Sequence, residues 1–222
     1  MPNAAELKGK RVLVVGLART GAATARFCAA RGALVTATDS RSENELSAIA
    51  APLRADGVVC QFGSPTDALF LSQDLIVPSP GVPADLPQLL AARAAGVTVW
   101  SEVEMASRFL RGQLLAVTGS NGKTTTTSLV EHTLRSAGFP TILAGNIGTP
   151  LIACVDDSHD DTVTVAELSS FQLELTETFR PNIAVFLNLT PDHLDRHHTL
   201  EAYGAVKAKI FANQTERDAA IL

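Results

Sequence analysis

The sequence predicts an α/β fold with two successive parallel sheets, and three observations predict it. Helix-like stretches end in glycine and pass at once into β-branched apolar runs, at 29–39, 91–102 and 134–145. Glycine at the helix C′ position accepts the left-handed conformation without a Cβ clash, and this is the punctuation of βαβ units. The first strand, RVLVVG, is apolar on both sides of the pleat, as a buried central parallel strand is. Strand, glycine loop and helix then occur in that order twice, at the start of each strand series.

Taken in order, strands are expected at 11–16, 34–39 and 74–78, the last stopped by the proline-rich loop at 78–83. A new series is expected at 114–118, 141–144, 162–166 and 183–188. A helix is expected over 200–212, with Leu200, Tyr203, Val206 and Ile210 at helical spacing. The domains are placed at 1–102 and 103–222, joined within 99–111. The closing AAIL reads as the start of a strand, so the second domain is expected to be incomplete at its C-terminal end, as in a piece of a longer protein.

Composition bounds the function. At 46% hydrophobic and 18% charged residues, the 222-residue chain can bury a core. A net charge of -5 argues against nucleic acid and anionic membrane as partners, both of which need a basic face. No apolar run approaches the ~18 residues of a membrane span, and MPNAAELKGK is no signal peptide. A cytoplasmic monomer without membrane insertion is expected. Cys28, Cys60 and Cys154, odd in number and widely spaced, read as reduced and mostly buried thiols.

The segment Thr118, Gly119, Ser120, Asn121, Gly122, Lys123, Thr124, Thr125 joins a strand to a helix, where a phosphate-binding loop belongs. Gly119 and Gly122 let the backbone N–H groups converge on phosphate, and the helix N-terminus adds its positive end. Lys123 would neutralise β and γ oxygens of ATP, and the Thr124 hydroxyl would coordinate Mg²⁺. The strict pattern wants glycine at 117, where Val117 stands. A polar turn that merely caps a helix is the plainer alternative, disfavoured because the GKT falls at the strand-to-helix junction.

The variant TGSNGKT resembles the loop of the Mur ligase family and its folylpolyglutamate synthase relatives. Gly145-Asn146-Ile147-Gly148, ELSSFQL at 167–173, NLTPDHLDRH at 188–197 and Tyr203 to Lys207 follow in the order and spacing of that family's central domain. ELSSFQLE resembles the branch that adds D-glutamate. The resemblance covers nearly all of the chain. It implies an N-terminal Rossmann-like domain, a P-loop ATPase-type central domain, and UDP-N-acetylmuramoyl-L-alanine and D-glutamate as substrates. It also implies an acyl phosphate route in peptidoglycan synthesis. The family's third domain, which binds the amino acid, has no counterpart here, so this chain is expected to bind the UDP-substrate without completing ligation.

Glu167, at the C-terminal end of a strand, is a Mg²⁺ ligand candidate; alone it would read as an exposed helix-starting glutamate. In DHLDRHH, Asp192 and Asp195 are expected to cap a helix, with His197 and His198 solvated. For His193 the resemblance implies a ligand of a second Mg²⁺, chemically unusual for an ion that favours oxygen. From spacing alone Lys207 reads as a snorkelling surface lysine. The resemblance implies instead a carbamate on Lys207 that ligates metal, with Lys209 as the rival position. Asn146 and His193 would hold the acyl end of the substrate, and Ser170 is placed in the same site.

The loop Gly16, Leu17, Ala18, Arg19, Thr20, Gly21 opens the first helix, but it lacks the second glycine of a dinucleotide fingerprint. A tight turn is as good a reading of those residues. The resemblance implies a UDP site, with Leu17 to Thr20 offering N–H groups to the diphosphate. Asp39, Ser40 and Arg41 would lie by the uridine, and Ser79, Pro80 and Gly81 would face the same nucleotide. Rival readings are another amide ligase of the family, a nucleotide-binding module without ligase chemistry, and an NAD-dependent dehydrogenase.

Overall fold

A computed structural model describes residues 7–222. The reading of the N-terminus as no signal peptide falls largely outside the described residues. The chain divides into two compact units, 1–105 and 106–222. Among the described residues no helix is long and apolar enough to cross a membrane.

The first unit is a five-stranded sheet in the order β3-β2-β1-β4-β5. Its strands are β1 Arg11–Val15, β2 Leu34–Asp39, β3 Val59–Phe62, β4 Leu75–Pro78 and β5 Thr98–Val99, each parallel to its neighbour. Val12, Leu13 and Val14 in β1 are fully buried, as the unbroken apolar run requires of a strand covered on both faces. Helices α1 Arg19–Ala30, α2 Glu43–Ala55, α3 Asp67–Leu71 and α4 Pro87–Ala94 connect the strands. Ser42 and Glu45 close a capping box at the start of α2, which satisfies two N–H groups that the helix itself leaves orphaned. The reading from sequence passed over β3. It follows Gly57 with the same punctuation, yet at the sheet edge none of its residues is fully buried, so it carries no continuous apolar signal.

The second unit repeats the plan in the order β10-β9-β6-β8-β7, again all parallel. Its strands are β6 Gln113–Thr118, β7 Thr141–Gly145, β8 Val163–Glu167, β9 Ile183–Phe186 and β10 Ala219–Ile221. Helix α5 Glu102–Ser107 runs through the division between the units. Helix α6 Lys123–Ser136 packs Val130 and Leu134 against a core of Leu115, Val117 and Val165. Short helices α7 Ser170–Leu173 and α8 Leu194–His197 precede α9 Leu200–Ala208. The helix expected over 200–212 tightens into a 3₁₀ turn at Lys209–Phe211. Strand β9 stops at Phe186, two residues earlier than expected, because the backbone from Leu187 onward bonds to the glycine loop instead. Parallel order puts the C-terminal ends of β6, β8 and β9 at one end of the sheet.

Candidate nucleotide and metal site

Strand β6 ends at Thr118 and α6 begins at Lys123, with Gly122 as a left-handed N-cap at φ 81°. Val117 lies inside the sheet, fully buried and paired with Glu167 on one side and Val185 on the other. The strict motif's first glycine would therefore fall in a strand here, which is why its absence is tolerated. Gly119 is needed: at φ 150°, a Cβ on it would stand 3.1 Å from the Leu187 Cβ and 3.3 Å from the Asn188 nitrogen.

The segment after β9 lies along the loop and bonds to it. Leu187 N–H donates to the Thr118 carbonyl, and Ser120 N–H donates to the Asn188 carbonyl. The Ser120 hydroxyl donates to the Thr190 carbonyl and accepts from the Thr190 N–H, both at 3.0 Å. Asn121 N–H donates to Asn188 Oδ1 at 2.9 Å, and Asn188 Nδ2 donates back to the Asn121 carbonyl at 3.0 Å. The N–H groups of Ser120 and Asn121 are thus taken up by Asn188, whereas helix geometry leaves those at the N-terminus of α6, from Gly122 through Lys123, Thr124 and Thr125, without partners inside the helix.

Two lysines converge on one carbonyl. Lys123 Nζ donates to the carbonyls of Gly119 at 2.9 Å and Ser120 at 2.8 Å. Lys207 Nζ donates to the same Gly119 carbonyl at 2.7 Å. Lys207 is 1% exposed, so the reading of it as a snorkelling surface residue is overturned: α9 turns it inward beside Tyr203. Burial first, and then the Lys123 charge, push its ammonium down to about 8. Lys209 points elsewhere, donating to the Glu174 carbonyl.

The Glu167 carboxylate closes β8 at 1% exposure rather than standing free at a helix start. It accepts from Thr124 Oγ1 at 2.6 Å on one oxygen and from Asn146 Nδ2 at 2.7 Å on the other. Gly145 makes the second contact reachable: a Cβ there would fall 2.2 Å from the Glu167 carbonyl oxygen. The donors fit Mg²⁺, which takes one or two carboxylates and hydroxyls and completes its shell with phosphate oxygens and water. Among the described residues no three His, Cys, Asp or Glu side chains gather as an all-protein metal cage, and Mg²⁺ needs none.

His193 lies beside Tyr203 of α9, with ring centroids 6.2 Å apart. It is the N-cap of α8, in the left-handed conformation at φ 52°. Its Nε2 lies 3.5 Å from Asp192 Oδ2, and its ring sits 4.9 Å from that of Phe171. Asp192 accepts from the His193 N–H rather than capping the helix itself. His198 is exposed as expected, but His197 is buried, its ring stacked on Phe171 and its Nε2 2.9 Å from Ser170 Oγ. Ser170 is 1% exposed, with its hydroxyl on His197.

In the first unit, three expected ligand residues hold the loop rather than face outward. Leu17 is buried, and its N–H donates to Asp39 Oδ2 at 2.7 Å. Asp39 also accepts from the Arg41 guanidinium and N–H, which with the Leu17 N–H hold its carboxyl far below the usual carboxylate range. The Ser79 hydroxyl donates to the Gly16 carbonyl at 2.6 Å, pinning the other side of the turn. Ala18 and Arg19, at the start of α1, are exposed, as are Ser40, Arg41 and Gly81; Thr20 and Pro80 are partly so. The loops after β1 and β4 flank the point where strand order reverses, the usual ligand crevice of open α/β sheets. Cys28 and Cys154 are buried and Cys60 half-buried, and all three are free thiols, as read from sequence.

Comparison with known proteins agrees with this geometry. Residues 10–101 match the model of the Mur ligase MurD-like N-terminal domain, and residues 117–222 that of the Mur ligase middle domain. The chain is 53% identical to a UDP-N-acetylmuramoylalanine--D-glutamate ligase of Koribacter versatilis, over 98% of this chain and 48% of that protein. It is 55% identical to the ligase of the same name from Acidobacterium capsulatum, over 98% of this chain and 47% of that protein. The chain thus spans about half the length of the curated relatives it matches. A ligase structure from Neisseria meningitides superposes with a TM-score of 0.60 at 19% identity, over 96% of this chain and 70% of that one. A UDP-N-acetylmuramate-alanine ligase structure from Thermotoga maritima superposes with a TM-score of 0.53 at 24% identity, over 92% of this chain and 47% of that one. Both of these show the fold. With a family model matched in each of its two units, the chain belongs to the Mur ligase family.

Proposed function

We propose that this chain carries the UDP-substrate and ATP sites of a ligase that joins D-glutamate to UDP-N-acetylmuramoyl-L-alanine. The observation that carries the reading is the junction of Thr124, Glu167 and Asn146 at the head of a phosphate-loop helix. The names of the two closely similar relatives support D-glutamate as the amino acid.

In the proposed reaction the substrate's terminal carboxylate attacks the γ-phosphorus of ATP. A new O–P bond forms as the bond to the β-γ bridging oxygen breaks and ADP leaves. The amine of D-glutamate then adds to the acyl carbon, phosphate departs, and the amine loses its proton to give the amide. Such phosphoryl transfer rests on positioning and charge compensation. Lys123 would exchange the carbonyls of Gly119 and Ser120 for the β and γ oxygens, while the α6 N-terminus holds the phosphates. Thr124 and Glu167 would hold Mg²⁺, which supplies positive charge against the phosphate oxygens.

Asn146 would orient the acyl end of the substrate from the far side of Glu167. A second Mg²⁺, with His193 and a carbamate on Lys207 as ligands, belongs to the same proposal. The buried Lys207 supports it, because CO₂ adds only to a neutral amine and its ammonium is pushed down to about 8. In the first unit the diphosphate would take N–H groups at Ala18, Arg19 and Thr20, with Ser40, Arg41, Pro80 and Gly81 toward the uridine. Leu17, Asp39 and Ser79 would shape that loop.

Calorimetric titration of MgATP and UDP-N-acetylmuramoyl-L-alanine into this chain tests both sites, and the absence of either heat signal sinks the reading. In the protein assayed for amide product, Glu167→Gln is expected to cost at least about 100-fold in rate while UDP-substrate binding persists. Product formed from another amino acid but not from D-glutamate would reassign the substrate.

A further inference from the structure

We propose that Asn188 is a positioning residue for the phosphate loop, one that sets the direction of the α6 N-terminus without touching the nucleotide. The inference rests on the reading of that loop as the ATP site. The Asn188 side-chain amide meets the main chain of Asn121 in both senses, accepting its N–H at 2.9 Å and donating to its carbonyl at 3.0 Å. A side-chain amide bonded in this way copies a strand neighbour, and it holds both polar groups of Asn121 in place. Gly122, Lys123 and Thr124 follow directly, so their N–H directions are set by the orientation of the backbone that Asn188 grips.

Two further features accompany the grip. Gly119 lacks the Cβ that would crowd the Asn188 main chain, with atoms 3.3 Å and 3.4 Å away, so the loop and the 187–190 segment approach as closely as their backbones allow. Asn188 and Asn121 are both exposed, so their bonds lie at the rim of the site and contribute nothing to the core. The same segment continues through Thr190, whose Oγ1 accepts from Asn121 Nδ2 at 3.2 Å, to His193 three residues on. Phosphate on the loop and the placement of His193 thereby share one tether, although 67 residues of sequence separate Asn121 from Asn188.

The test is nucleotide binding by this chain, read with methylanthraniloyl-ATP and Mg²⁺ beside a thermal melt and a calorimetric titration of UDP-N-acetylmuramoyl-L-alanine. Asn188→Ala removes both bonds and is expected to weaken ATP about tenfold, with the melting temperature and UDP-substrate affinity unchanged. Asn188→Asp keeps the shape and the acceptor but loses the donor and sets a carboxylate beside the triphosphate. It is expected to weaken ATP further, and it makes the comparison should the alanine variant fail to fold. ATP affinity equal to wild type in either variant overturns the inference. So does a loss of ATP affinity matched by a lower melting temperature and weaker UDP-substrate binding, which marks a structural role alone. If wild-type chain binds no ATP, the ATP reading itself falls, an outcome distinct from both.

Discussion

At the scale of single residues, each of the two glycine loops is held by polar side chains that bind its backbone. Asp39 accepts the Leu17 N–H, Ser79 donates to the Gly16 carbonyl, and Asn188 brackets Asn121. Asp39 is the most constrained of them. Its folded-state carboxyl titrates below its unfolded value, so the unfolded chain binds more protons on acidification. Its stabilisation is full above the unfolded value near 4 and is lost as pH falls through the lower folded value. Asp39→Asn is therefore expected to lower stability by roughly 2 kcal/mol at pH 7 and to narrow the gap to wild type in strong acid. Urea melts across the pH range check this, and an unchanged gap at low pH contradicts it. The place of Asp39 at a strand end was legible in the sequence. Its partner was not, because Leu17 lies 22 residues away and offers only its backbone.

At the scale of elements, the course of β6 explains the departure from the strict phosphate-loop pattern. Val117 is a full member of the sheet between β8 and β9, and the glycine turn starts only at Gly119. Restoring the motif with Val117→Gly is thus expected to harm the protein. It removes a fully buried side chain and loosens a central strand, at a cost of about 3 kcal/mol, without tightening ATP. Denaturant midpoints and nucleotide titration check both parts, and a gain in ATP affinity contradicts the account. The strands with unbroken apolar runs were legible because parallel burial on both faces leaves a continuous signal. Edge strand β3 was not, because its residues alternate between exposed and half-buried. The short helix α8 was misread in a similar way. A cluster of histidines and aspartates looks solvated in sequence, yet one turn of helix sends His197 inward while His193 and His198 stay outside.

At the scale of the whole molecule, two units each carry their own parallel sheet, core and glycine loop. Their ligands are expected to act separately on stability. UDP-N-acetylmuramoyl-L-alanine at 100 times its Kd should stabilise the first unit, and MgATP the second, each by about 2.7 kcal/mol. Hydrogen exchange resolved along the sequence checks this, and protection by ATP confined to 7–105 would contradict it. The sequence by itself determined the βαβ plan, the two glycine loops, and the TGSNGKT, ELSSFQLE and NLTPDHLDRH segments that mark the family, because each is local chemistry written in consecutive residues. Only the tertiary structure decided that Lys207 is buried on the Gly119 carbonyl, that Ser170 bonds to His197, and that Asn188 bonds to the Asn121 backbone. Those partners lie 88, 27 and 67 residues apart. Strand order and register bring them together, and no periodicity along the chain encodes which strand ends will meet.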